Sequence, residues 1–497
     1  EDAMTACLID TVRTHATANP KRLAVGCAET GRRWSWAELD AAIDRLAAWL
    51  VETLGPASGA RVATLARNHP NMLVLQLACV RAGAIFVPYN WRLASAEIAA
   101  LMEDAAPSLM FHDAEFTPPD HPARRVPMSE LEALGQPGTS APADARRGWQ
   151  EPTTLLYTSG TSGRPKGVMI SEENAYWGPA NFANGSLVSH ESVFLCDMPM
   201  FHTAGLFAAV RVPILAGGTV WISAGFDPAR TIARIADPDL GITHYFSVPQ
   251  MATTLWQHPD FAPEKFHGLK MYVTGGAPNP KAQVERFARA GIRCSDGFGM
   301  SETCSNFAMP VLDVERLIEK AGSCGLPLFA VQARIVDDEG GDVPRGETGE
   351  LWIKGPSVTQ GYWNQPDLTA KAFHDGWFKT GDAALQDDDG FYYLVDRKKD
   401  MYISGGENVY PAEVERVLAE LPEVAEVAVI GVPDERWGEV GRAFVIPRAG
   451  ASLSEEQVLG HCRARLARFK VPVRAIITQA IPRTASGKVQ KHLLPRD

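Results

Sequence analysis

Two apolar runs, Leu155-Leu156-Tyr157 and Val168-Met169-Ile170, flank a loop made mostly of hydroxyls and glycines: Thr158-Ser159-Gly160-Thr161-Ser162-Gly163-Arg164-Pro165-Lys166-Gly167. The glycines let the backbone approach a ligand and turn its N–H groups toward it. The hydroxyls add donors, and Lys166 adds a positive charge. Such a loop can wrap phosphate oxygens. It differs from the nucleotide loop in which Gly-Lys-Ser/Thr opens a helix, because Lys166 is followed by Gly167 and a strand pattern. A plain flexible hairpin is the competing reading, and the whole segment outweighs it.

The pattern around this loop is layered. Ser35-Trp36-Ala37-Glu38 reads as a capping box, with Leu39, Ile43, Leu46 and Leu50 following at helical spacing. Arg61 to Leu65 reads as a strand, Pro70 opens an apolar helix, Ile85 to Pro88 reads as a strand and Ala94 to Met102 as a helix. Residues 115–150, rich in Pro, Ala, Asp and Arg without a period, read as a surface excursion. From 152 to about 395, strand and loop signals dominate. The last hundred residues predict a compact α+β unit: a helix from Pro411, strands at Ala425 to Val432 and Arg442 to Ile446, a helix from Ser454 to Leu466, and a strand from Val473 to Thr478.

Composition narrows the function classes. The 497 residues carry 48 basic and 59 acidic side chains, a net charge of −11, which argues against a general nucleic-acid or anionic-membrane surface. Eight cysteines show neither a CxxC pair nor the clustering that a structural zinc site needs. The most apolar stretch, Gly205 to Ile222, is broken by Arg211, Pro213 and Gly217-Gly218, so no membrane span is expected. No charged-then-apolar signal pattern opens the chain, and a cytoplasmic location with free thiols is the expectation.

The loop at Thr158 to Gly167 resembles the phosphate-binding signature of the acyl-adenylate-forming enzymes, the superfamily of acyl-CoA synthetases, peptide-synthetase adenylation domains and firefly luciferase. The family's other motifs follow in order. Met198-Pro199-Met200-Phe201-His202 is similar to the segment ending in a His near the acid, and Gly275-Gly276-Ala277-Pro278 to the turn walling the adenine and acyl pockets. Gly297-Phe298-Gly299-Met300-Ser301-Glu302 resembles the aromatic-then-Thr-Glu motif, with Ser301 in place of the commoner Thr. Trp377 to Asp382 resembles the ribose motif. Asp396 to Asp400 and Ser404 to Pro411 resemble the hinge and thioester-forming loop, and Pro482 to Lys488 the loop of the catalytic lysine. The likeness is nearest to the acid–CoA ligases.

The resemblance implies an α/β fold. A large multi-layered N-terminal adenylation domain, residues 1–397, binds ATP and the acid. A small mobile α+β C-terminal domain, residues 398–497, carries the catalytic Lys488. ATP or AMP contacts fall on Thr158 to Gly163, Lys166, Gly276, Ala277, Pro278, Gly297, Phe298, Gly299, Ser301, Asp382 and Arg397. Glu302 holds Mg²⁺, which with Lys166 offsets phosphate charge. Phe298 offers a face for adenine, and Asp382 can accept both ribose hydroxyls. His202 and Gly275 fall at the acid pocket, Lys399 at the hinge, and Gly405 and Gly406 at the tunnel for the second substrate, where glycines allow close passage of a pantetheine chain. Apart from the resemblance, Phe246, with Tyr176, Trp177, Phe182 and Phe307, reads either as an aromatic lining of the acid pocket or as plain core packing.

The implied activity joins a carboxylic acid, aryl or medium-chain, to AMP with release of pyrophosphate and then passes the acyl group to CoA. An amide-bond synthetase shares the first step and hands the acyl group to an amine. Asp197, five residues before His202, keeps that alternative open: a carboxylate near the adenylate can take a proton from an incoming ammonium. A strand-end Asp satisfying local donors is the competing reading. A non-catalytic nucleotide sensor is the third possibility, opposed by the presence of Lys166, Glu302, Asp382 and Lys488.

Overall fold

A computed structural model describes residues 10–496 except 159–164, 277–278, 280, 310–312, 398–400, 449, 483–488 and 490, and not the side chains of 143, 395–397, 412, 416 and 492. Six strands, β1 (Leu23–Cys27) and β2 (Arg33–Ser35) followed by β3 (Arg61–Leu65), β4 (Ile85–Pro88), β5 (Leu109–His112) and β6 (Arg124–Pro127), open the chain. Then come β7 (Pro152–Thr158), β8 (Lys166–Ser171), β9 (Val193–Cys196), β10 (Thr219–Ile222), β11 (His244–Ser247), β12 (Met271–Thr274), β13 (Cys294–Met300), β14 (Cys304–Ala308) and β15 (Leu326–Pro327). They build two sheets: nine strands in the order β15-β14-β13-β12-β11-β9-β10-β1-β2, and six in the order β6-β5-β3-β4-β7-β8.

The central pairs from β1 through β13 run parallel. Helices therefore cover both faces, and β10, β11 and β12 are buried throughout. Ser35 caps the helix Trp36–Leu54 as the capping box predicts, and Pro70 opens the helix Pro70–Ala82. Two sequence expectations need correction. The segment 115–150 contributes β6, paired in parallel with β5, and buries Val126, Met128 and Leu131, so part of it belongs to the core. The span 152–395 is also rich in helix. Glu172–Gly185 alone covers 14 residues with its Pro179 inside, and a π-helix runs from Ala204 to Arg211.

A third sheet of five strands, β16 (Gln332–Val336), β17 (Gly349–Lys354), β18 (Phe373–His374), β19 (Trp377–Gln386) and β20 (Tyr392–Arg397), follows. The fourth contains β21 (Tyr402–Ser404), β22 (Glu407–Val409), β23 (Val424–Asp434), β24 (Gly438–Pro447) and β25 (Arg474–Ile477). It has its own core around Val414, Leu418, Val429, Val445 and Val458. The predicted domain boundary falls directly after β20. Among the described residues, the seven cysteines are unbridged and buried, and no helix is long and apolar enough to cross a membrane.

Candidate active site

The two strands flanking the hydroxyl-rich segment pair antiparallel. Thr158 at the end of β7 pairs with Lys166 at the start of β8. Ser159, Gly160, Thr161, Ser162 and Gly163 lie outside the described residues, as do Ala277, Pro278, Lys399 and Lys488. Lys166 is 8% exposed, and its Nζ lies 5.3 Å from the ring centre of Tyr362. The hydroxyl of the same Tyr362 donates to Oε1 of Glu302 at 2.9 Å. The two charged residues assigned from sequence thus converge on one aromatic ring. Glu302 is further fixed through its carbonyl, which accepts from the Thr359 N–H at 2.7 Å.

β13 carries the aromatic motif as a strand paired antiparallel with β14. Phe298 is half-buried and edge-on to Phe307, with ring centres 5.9 Å apart. Its flanking glycines have a steric origin: a Cβ on Gly299 would overlap the carbonyl oxygen of Cys304, and one on Gly297 would sit 2.9 Å from that of Phe307. At the far end of the third sheet, Asp382 and Arg397 are cross-strand partners on β19 and β20. The ribose motif and the residue before the hinge are therefore adjacent in space.

The His202 segment is held by a residue that the sequence reading missed. Asn68 donates from Nδ2 to the Met198 carbonyl and accepts from the Met200 N–H at Oδ1, both at 2.8 Å, clamping the chain on either side of Pro199. A Cβ on Gly205 would overlap the Pro199 carbonyl, which fixes the following π-helix against this turn. Phe246 on β11 is 8% exposed and stands edge-on to Phe182. A Cβ on Gly275 would approach its ring to 3.4 Å, so Gly275 and Phe246 wall the same space.

His202 reaches across to the fourth sheet. Its Nε2 lies 2.8 Å from Oε2 of Glu407 on β22, Arg92 pairs with Oε1 of that carboxylate, and Asn90 donates to Oε2 at 3.3 Å. Burial alone raises the pKa of Glu407, but the facing His202 and Arg92 outweigh it and hold the carboxyl down to about 2. Gly405 and Gly406 adopt φ of +59° and +83°, open to glycine without strain. A Cβ on Gly406 would lie 3.6 Å from Val248, and Gln250 donates to the Arg436 carbonyl at 3.1 Å. The Gly-Gly turn is therefore seated against the segment that follows β11.

Asp197 sits apart from this surface. It is 2% exposed, and three hydroxyls donate to its carboxylate: Ser223, Thr231 at 2.6 Å and Tyr245 at 3.0 Å. Burial raises its pKa against these three donors. Its hydrogen bonds tie β9 to neighbouring elements, and the geometry supports local satisfaction over proton abstraction from a substrate. Asp296, absent from the sequence reading, is buried at the start of the aromatic motif and accepts from Thr274 Oγ1 at 3.2 Å; burial pushes its carboxyl up to about 8. A charged residue immediately before Gly297 was the available signal.

The AMP-binding enzyme family matches residues 12–363, and the AMP-binding enzyme C-terminal domain matches 413–488. The chain is 39% identical to the feruloyl-CoA synthase of an Amycolatopsis species over 93% of both chains. It is 36% identical to the indoleacetate–CoA ligase of Aromatoleum aromaticum, over 97% of this chain and 96% of that one. Among solved structures, it matches a double mutant of the o-succinylbenzoate CoA synthetase of Bacillus subtilis bound with its product analogue at a TM-score of 0.89, with 30% identity and 97% coverage of each chain. The same synthetase in complex with its acyl-adenylate intermediate matches at 0.72, with 30% identity over 98% of this chain and 97% of that one. The amide bond synthetase of Marinactinospora thermotolerans matches at 0.84, with 28% identity, 97% of this chain and 98% of that one. Matched over residues 12–363 and again over 413–488, the chain belongs to the AMP-binding enzyme family.

Proposed function

We infer that the chain is an AMP-forming acid–CoA ligase. A carboxylate oxygen bonds to the α-phosphorus of ATP and pyrophosphate leaves. The sulfur of CoA then bonds to the acyl carbon, its thiol proton is lost, and the C–O bond to AMP breaks with the electron pair leaving on AMP. The observation that carries the acceptor is the Gly405-Gly406 turn docked at Val248 with Glu407 on His202. In that arrangement the C-terminal domain lies against the proposed acid pocket, in accord with the closer match to the product-analogue complex than to the adenylate complex.

The site assignments belong to the same reading. Lys166 and Glu302, brought together by Tyr362, serve the phosphates, and Asp382 with Arg397 serves the ribose. Glu302 fits a Mg²⁺ role: Tyr362 occupies Oε1 only, and a magnesium ion bound with nucleotide commonly takes one or two protein carboxylates. When bound, such an ion supplies charge neutralisation of the phosphates. Lys488 is assigned to the transition state of adenylation. His202, Gly275 and Phe246 surround the acid, held in place by Asn68 and Phe182. Residues 1–397 and 398–497 act as the two domains.

The acid is proposed to be an arylalkyl or arylpropenoic acid. The feruloyl and indoleacetate names of two relatives and the Phe246–Phe182 pair support that choice. The test is incubation with Mg-ATP and a panel of aryl and aliphatic acids, each with CoA, with a simple amine, or with neither, reading AMP and product masses. CoA-dependent thioester masses led by aryl acids are expected. Amide masses without thioester would overturn the acceptor.

A further inference from the structure

Glu97 stands 373 positions from Lys470 in sequence, yet its Oε1 receives Lys470 Nζ at 2.6 Å. Glu97 lies in the first turn of the helix Ser95–Ala105 in the large domain, and Lys470 lies in the short turn Arg468–Lys470 of the small one. The other oxygen, Oε2, accepts two backbone N–H groups at 2.8 Å: Ala94, beside it in the large domain, and Ala467, in the small domain. Lys470 also donates to Glu413 of its own domain at 2.8 Å. The three side chains are 12%, 5% and 9% exposed.

We propose that Glu97 is a positioning residue for acyl transfer to CoA, the large domain's half of a latch that engages only in the domain arrangement described here. The inference rests on the acid–CoA ligase reading. Its physical basis lies in what remains when the two domains separate. Lys470 keeps Glu413, so no unpaired ammonium is left buried, and Glu97 keeps the Ala94 N–H while regaining water. Each half keeps a partner alone, and engagement adds one ion pair and one backbone hydrogen bond, with Lys470 set between Glu97 and Glu413 to offset the repulsion of the two facing carboxyls. Such a contact favours one arrangement strongly while engaged and leaves little penalty on release. The latch acts beside Asn90 and Arg92, which receive Glu407 from the same small domain, so residues 90–97 form a docking rim.

The test separates the two half-reactions. Pyrophosphate release without CoA reports adenylate formation, and addition of CoA to preformed enzyme-bound adenylate reports transfer. Glu97→Ala is expected to slow transfer about tenfold or more, the loss appropriate to a hydrogen bond with a charged group. Adenylate formation should stay within about twofold of wild type. Glu97→Gln, which retains an acceptor for Ala94 and Ala467 but not the charge facing Lys470, should slow transfer by less than Glu97→Ala and again spare adenylation. Adenylation thereby serves as the folding control. Equal loss in both steps, or no loss in either, overturns the inference. A wild-type enzyme that forms adenylate yet passes it only to amines overturns the acceptor reading first, and this inference with it.

Discussion

His202 Nε2 and Glu407 Oε2 are 2.8 Å apart although 205 positions separate them in sequence. That one contact joins the segment clamped by Asn68 to the strand that follows the Gly405-Gly406 turn. A buried carboxylate accepting from the His ring fixes which nitrogen carries the proton and how the ring faces the pocket. Glu407→Gln is expected to keep a neutral hydrogen bond to His202 while losing the charge that Arg92 faces. Glu407→Ala loses both. Acyl transfer from preformed adenylate should fall in the order wild type, Gln, Ala, by about tenfold or more at the end of the series. Stopped-flow or quench-flow transfer rates check the order, and equal rates for wild type and Ala would remove Glu407 from the step. The sign of the pH dependence follows from the depressed carboxyl. Docking support from Glu407 is complete above its ordinary value of 4.5 and is lost as pH falls toward about 2.

Tyr362 is the second place where geometry adds to the motifs. Its ring lies under Lys166 Nζ, and its hydroxyl holds one oxygen of Glu302. Tyr362→Phe retains the ring and removes the hydrogen bond, so Glu302 gains rotational freedom while Lys166 keeps its seat. Adenylate formation is expected to slow by about tenfold, with a higher magnesium requirement. Pyrophosphate release against magnesium concentration measures both, and an unchanged magnesium curve would separate Glu302 from the metal.

Asp197 yields the opposite kind of prediction. Asp197→Ala strips the acceptor from three buried hydroxyls on Ser223, Thr231 and Tyr245. The loss should be in stability, about 1–3 kcal/mol for each hydroxyl left without a partner and less where neighbours can relax. Turnover per folded molecule should stay near wild type, whichever acceptor is supplied. Urea unfolding and activity on the soluble fraction test this. A selective loss of amide formation would restore Asp197 as a base.

The reach of the sequence differs between local and distant features. Ser35 with Glu38, and Pro70 and Pro411 at helix starts, mark boundaries by chemistry that acts over one turn, and the helices begin there. The helix Glu172–Gly185 was illegible because it contains Gly178 and Pro179 and buries polar Asn174 and Asn181, so neither propensity nor period marks it. Gly178 has a tertiary reason: a Cβ there would meet Cys304 on β14 at 2.5 Å. The motif order nominates Lys166, Glu302, Asp382 and His202. Asn68, Tyr362, Asp296 and Glu97 act through partners far along the chain, which spacing and composition do not record.

Asp296 offers the sharpest pH test. Its carboxyl is buried, facing the Thr274 hydroxyl and the Gly297 N–H, and burial pushes it up to about 8 from an ordinary value of 3.8. A carboxyl raised in the folded state favours folding most when it is protonated, below its unfolded value. That advantage is lost as pH climbs from about 4 to about 8, at up to about 1.4 kcal/mol per pH unit. Asp296→Asn keeps an oxygen for Thr274 and can never ionise. The melting-temperature difference between variant and wild type should therefore turn in the variant's favour as pH is raised from about 5 to about 9. Comparing the two proteins cancels the titration of every other group. A difference that stays flat across that window would mean that Asp296 is ionised at neutral pH, its charge sustained by the Thr274 hydroxyl and the Gly297 N–H against burial.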